Sequence, residues 1–176
     1  LEFCPEDDPI QLVWSTVMRT PGGGQWTGAG ITNPSGNDYF FDPGLAGAGM
    51  HNLEYLANTC LDSMTMIVHP TPAIEADTLC EIEAPLDLTV TPPGGVWNGT
   101  GITDTLSGTF DPGLAGIGAH IVSNVSDNGC YGEQVINVTE PPVAEISGLE
   151  NFYCFQDTTI VPTLSPAGGV FTIDGD

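Results

Sequence analysis

The chain has 176 residues and a formal net charge of -22, from 23 acidic side chains against the single cation Arg19 and no lysine. Binding nucleic acid requires Lys and Arg to neutralise phosphates, so that partner class is excluded, and the same charge disfavours anionic membrane surfaces. Hydrophobic residues at 40% are still enough for packed cores, whereas 23 Gly and 15 Pro disfavour long helices.

In chain order, the first expected strand is in PIQLVW, where Ile10, Leu12 and Trp14 alternate with Gln11 and Val13. A Pro-Gly-Gly turn at 21–23 leads into QWTGAGIT around Trp26, a strand position, and then to the FFDPGLAGAGMH segment at 40–51. There Asp42 opens a turn as its capping residue. His51, Leu53 and Tyr55 form one face of the next strand, and Met64, Met66 and Val68 one face of its successor. The same grammar then returns: PLDLTV with Leu86, Leu88 and Val90, Pro-Gly-Gly at 93–95, Trp97, TFDPGLAGIGAH at 109–120 with Asp111 and His120, an Asp-Asn-Gly turn at 127–129, and Gln134, Ile136 and Val138. CFQDTTI from Cys154 restates CPEDDPI from Cys4 and CEIEAPL from Cys80, with Phe171 at the tryptophan position.

A period of about 75 residues is too long for a solenoid unit and fits a small self-contained domain. About seven short strands per repeat predict an all-β chain of tandem immunoglobulin-like antiparallel β-sandwiches. The expected units are 1–70, a first repeat lacking its first strand; 71–140, a second repeat; and 141–176, the start of a truncated third, with Pro-rich joints at 69–73 and 139–144. The third unit lacks strands to cover its apolar face. Either more chain follows or a neighbouring copy completes it by strand addition.

Each complete repeat has two cysteines, so Cys4 is expected to pair with Cys60 and Cys80 with Cys130, leaving Cys154 over. The alternative is five buried free thiols. Closing loops of about 50 residues would stabilise such thin cores by roughly 4 kcal/mol. Cys80 precedes its strand and Cys130 follows the Asp-Asn-Gly turn, so the bond is expected to tie one end of the sandwich. Disulfides imply an oxidising, extracellular location.

The string C-x-x-(D/E), P-x-G-G-x-W-x-G-x-G-I, F-D-P-x-x-A-G-x-G-x-H and a later Asn-Gly-Cys resembles the immunoglobulin-like repeats of very large Bacteroidota surface proteins. That resemblance covers nearly the whole chain. It implies a cell-surface adhesin, including the gliding-motility type, exported by type IX secretion, although similar modules also serve as spacers in other secreted proteins. One departure is Thr59-Cys60 where the second repeat has Gly129-Cys130, which implies a different hairpin in the first repeat.

The tripeptides beginning at Asp62, Asp77, Asp104 and Asp157 resemble the Bacteroidota O-glycosylation acceptor and nominate Ser63, Thr78, Thr105 and Thr158. The alternative is ordinary loop residues in an Asp- and Thr-rich chain. Asn98, Asn124 and Asn137 head N-glycan acceptor triplets. Asp7, Glu83 and Asp157 each follow an opening cysteine by three residues and are the candidate calcium ligands, although no EF-hand spacing is present. No other cofactor is expected.

The catalytic signatures Gly-x-Ser-x-Gly, Gly-Lys-Ser/Thr, His-Glu-x-x-His and Cys-x-x-Cys are missing, and without lysine there is neither a Schiff base nor a Lys-Asn isopeptide bond. No apolar run reaches the ~18 residues of a bilayer span and no signal peptide precedes Leu1, so direct membrane insertion is not expected in this segment. The expected role is a non-catalytic stalk, filament or adhesin segment. Its partners are further repeats of the same chain or neighbouring copies, with a surface or glycan ligand as a further partner. The alternative is a spacer or polysaccharide-binding module attached to a secreted enzyme.

Overall fold

The computed structural model describes residues 1–12, 24–36, 38–149 and 161–167. The expectations placed on Val13, Trp14, the turn at 21–23, Cys154, Asp157, Thr158 and Phe171 lie outside these residues.

The first repeat contains β1 (Glu2–Phe3), β2 (Ile10–Gln11), β3 (Gln25–Thr27), β4 (Ile31–Thr32), β5 (Phe40–Phe41), the helical turn α1 (Pro43–Ala46), β6 (Gly49–Ala57) and β7 (Cys60–Val68). The second contains β8 (Ala73–Glu75), β9 (Leu79–Cys80), β10 (Leu86–Asp87), β11 (Thr89–Thr91), β12 (Val96–Gly99), β13 (Ile102–Asp104), β14 (Thr109–Phe110), α2 (Pro112–Ala115), β15 (Gly118–Val125) and β16 (Tyr131–Thr139). A hairpin of β17 (Glu145–Ser147) and β18 (Thr163–Ser165) follows.

The chain is all-β and its repeats are immunoglobulin-like sandwiches. In the first, the sheet β1-β7-β6-β3 faces the sheet β2-β5-β4. In the second, β12-β15-β16-β9 faces β10-β14-β13, with the pair β11-β8 alongside. Pairing is antiparallel except at one edge of each large sheet. There β1 runs parallel to β7 (Phe3 opposite Val68) and β9 parallel to β16 (Cys80 opposite Thr139).

The alternation read from sequence builds the cores. Leu53, Tyr55 and Ala57 of β6 and Met66 and Val68 of β7 are buried, as are Val122, Ile136 and Val138 in the second repeat. Phe41 and Phe110 are fully buried at matching positions, and the two repeats have separate hydrophobic clusters around them. Trp97 is buried and Gly108 makes room for it, since a Cβ there would lie 2.5 Å from the indole. Trp26 is half-buried and packs on Tyr55 with ring centroids 5.0 Å apart.

The FDPGLAG segment is a capped turn. Asp42 and Asp111 accept a hydrogen bond from Leu45 N and Leu114 N, both at 3.1 Å. His51 Nε2 and His120 Nε2 each lie 2.7 Å from the Gly47 and Gly116 carbonyls that close the turn, so the recurrence of histidine is structural. The hairpins differ as the Thr59 departure implies. Only Asn58 and Thr59 join β6 to β7, with Asn58 at φ 55°, whereas 126–130 join β15 to β16.

Phe41→Ala and Phe110→Ala should each cost about 3–5 kcal/mol, confined largely to the repeat that carries the change. Urea denaturation of each variant, followed by circular dichroism, measures this.

Candidate functional site: the joint between repeats

Strand geometry decides where the cysteines lie. β7 runs from Cys60 to Val68, and Cys4 follows Phe3, which pairs with Val68. At ~3.3 Å per residue the Cα atoms of the two cysteines of the first repeat are about 30 Å apart. In the second, Cys80 pairs opposite Thr139 while Cys130 precedes Tyr131, again the full length of a strand. A disulfide needs Cα atoms within about 7 Å. The pairings Cys4 with Cys60 and Cys80 with Cys130, expected from sequence, are therefore corrected.

The structure bonds Cys4 to Cys130, with Cα atoms 5.3 Å apart, across 126 residues of chain. Cys60 and Cys80 are free thiols. Each repeat has its opening cysteine at one pole and its hairpin cysteine at the other, and the bond joins facing poles of successive repeats. It does not tie one end of a sandwich.

Two further contacts complete the joint. Tyr131 N donates to Glu6 Oε1 at 2.9 Å, which satisfies a backbone donor at the start of β16. Buried Pro72 lies against Gly132, where a Cβ would fall 2.1 Å from the Pro72 carbonyl oxygen, so only glycine admits this approach. Cys4 is held by a local turn. Asp7 N donates to Cys4 O at 3.1 Å and Cys4 N donates to Asp7 Oδ2 at 2.8 Å. Glu83 N makes the same 3.0 Å turn to Cys80 O. In the first repeat the Asp7 carboxylate caps this turn.

Asp7 and Glu83 are exposed, in matching turns of different repeats, and are not brought together. Cys4, Glu6 and Cys130 do converge, but the two sulfurs are bonded to one another and only thiolates ligate metals. The acceptor hydroxyls of Ser63, Thr78 and Thr105 are on exposed residues. Beside Thr105, the backbone amides of Leu106 and then Ser107 hold the exposed Asp104 carboxyl below its usual pKa.

Asn124 is fully buried and donates to Gly94 O at 3.1 Å, so it carries no glycan in the folded chain, whereas Asn98 and Asn137 are exposed. Tyr55, at the matching position of the first repeat, instead accepts a hydrogen bond from Gly24 N at 3.1 Å. An open groove in the second repeat, of about 590 Å³, is lined by Leu79, Leu86, Leu88, Asp77 and neighbours, with no aromatic side chain on which a sugar would stack.

No protein-family model matches the chain and no curated protein matches it in sequence. Among solved structures it is similar to the insect immune protein hemolin, at 15% identity over 80% of this chain and 44% of that one, with a TM-score of 0.37. It is also similar to cadherin domains 1–4 of a protocadherin gamma, at 12% identity over 93% and 56% of the respective chains, with a TM-score of 0.26. A chimeric titin tandem aligns at 9% identity over 80% of this chain and 94% of that one, with a TM-score of 0.27. The chain thus spans about half the length of the first two.

The disulfide was missed because sequence counts cysteines per repeat and is silent about poles. The signal that could have found it is the position of Cys4 and Cys80 beside the opening strand, far from the hairpin. Gly132→Val should force the Pro72 backbone away and loosen the joint while both cores persist. Faster amide hydrogen exchange at Thr71, Ala73 and 131–133, with core protection unchanged, is the expected result.

Proposed function

We propose that this chain is a non-catalytic structural and adhesive segment of an extracellular cell-surface stalk, filament or adhesin. Its units are 1–70, 71–140 and the beginning of a further repeat from 141. The observation that carries this reading is the pole-to-pole joint: a covalent bond, a backbone contact and a packed proline fix one repeat end-on to the next. An enzyme or a globular binding domain has no need of such a device, whereas a rod under tension at a cell surface does.

The disulfide belongs to an oxidising compartment, and the net charge of -22 keeps neighbouring rods apart. The motif resemblance supports reading the segment as one of the surface repeats of Bacteroidota exported by type IX secretion. Exposed Ser63, Thr78 and Thr105, together with Thr158, are the proposed glycan acceptors, and glycopeptide mass spectrometry of native material should find hexose-bearing peptides at these hydroxyls.

Small-angle X-ray scattering tests the rod. The oxidised chain should give the profile of a stiff elongated particle. Reduction should leave circular dichroism nearly unchanged while the distance distribution broadens as the joint begins to hinge. An oxidised profile already showing freely hinged repeats would overturn the stalk reading.

A further inference from the structure

Cys60 and Cys80 have no assigned role, and their places in the fold supply one. Cys60 is the repeat-one counterpart of Cys130, at the hairpin pole; Cys80 is the repeat-two counterpart of Cys4, beside the opening strand. Cys4 and Cys130 face one another across the joint, whereas Cys60 and Cys80 lie on the poles that point away from it. The turn that presents Cys4 is already formed at Cys80, through the Glu83 N to Cys80 O bond.

Burial follows the same division. Cys130 is fully buried and Cys4 nearly so in the joint, while Cys60 is exposed and Cys80 half-exposed. Apolar side chains stand uncovered beside the free thiols: the cross-strand pair Leu56 and Leu61 at one pole and Ile82, 75% exposed, at the other.

We infer that the bond between Cys4 and Cys130 is one step of a staggered disulfide ladder, in which the opening cysteine of each repeat joins the hairpin cysteine of the repeat that follows it in the chain. Cys80 is the half-cystine for the repeat after the second, and Cys60 receives the opening cysteine of a repeat before the first. The inference deepens the stalk reading but rests on the repeat geometry alone.

Closing each rung is a two-electron oxidation. The Cys80 thiolate attacks an external disulfide such as oxidised glutathione and expels one glutathione thiolate, giving a mixed disulfide. The hairpin thiolate of the next repeat then attacks the Cys80 sulfur and expels the second glutathione. Two protein thiols lose two protons and two electrons, and one glutathione disulfide becomes two thiols.

The joint with a preceding repeat would meet Asp62 where the second repeat has Gly132, so the sharper test is made at Cys80. A chain is prepared in which residues 71–140 occur twice in tandem; this keeps the spacing from Val138 to the next Pro72 equal to that from its counterpart Val68 to Pro72. Thr78→Ser and Ile121→Val, both at exposed positions and inside the Glu-bounded peptides 76–81 and 84–133 that hold Cys80 and Cys130, mark the second copy. The chain is folded in a glutathione redox buffer, its thiols are alkylated, and it is digested with a Glu-specific protease without reduction.

Mass spectrometry should find first-copy Cys80 joined to second-copy Cys130, with Cys4 still joined to first-copy Cys130 and Cys60 alkylated. Cys130→Ser in the second copy alone should return first-copy Cys80 to the alkylated pool, with the fold unchanged by circular dichroism. Cys80 fully alkylated in the folded duplicated chain, Cys80 joined to Cys130 of its own copy, or Cys80 and Cys60 joined between separate chains would each overturn the ladder. Because the readout is linkage and not shape, a rod without the ladder and a ladder without a stiff rod are distinguishable.

Discussion

In each repeat the last two long strands run from pole to pole, and the short opening strand lies parallel to the final strand at its far end. This arrangement fixes the rest. It puts the opening cysteine and the hairpin cysteine about 30 Å apart, the rise of about nine strand residues, well beyond what a disulfide can span. The oxidised cysteines therefore have to look outward, and the nearest partner is at the facing pole of the adjacent repeat. A staple that sequence suggests for one thin sandwich becomes a coupling between two.

That change alters what the bond stabilises. In the chain-entropy view a 126-residue loop closed by a cross-link is worth about 5 kcal/mol, but each repeat has a hydrophobic cluster of its own, built around Phe41 or Phe110. The constraint acts on the relative freedom of two units that already hold their own cores. The Glu6 to Tyr131 contact and the Pro72 packing on Gly132 are weak singly and gain from the covalent bond, which raises the effective concentration of one pole at the other.

The acidity of the chain has the same logic. With 23 carboxylates and one guanidinium, neighbouring repeats repel, and the repulsion grows as salt falls. A joint built on ion pairs would depend on salt and pH. A covalent bond and a close-packed proline do not.

Much of the fold was legible in the sequence because it depends on local chemistry. Period-two alternation placed Leu53, Tyr55, Ile136 and Val138 on the buried face, and the Asp-Pro-Gly pattern announced the capped turn in which Asp42 and His51 are structural. The shortened hairpin at Asn58-Thr59 followed from residue identities alone. The tertiary structure decided which cysteine meets which, since that depends on strand direction, register and length together, and two residues of one repeat can lie at opposite poles. It also decided that Asn124 is buried beyond reach of a glycan and that Gly132 is needed for the approach of Pro72, because burial and backbone contact between distant segments exist only once the sheets and the joint have formed.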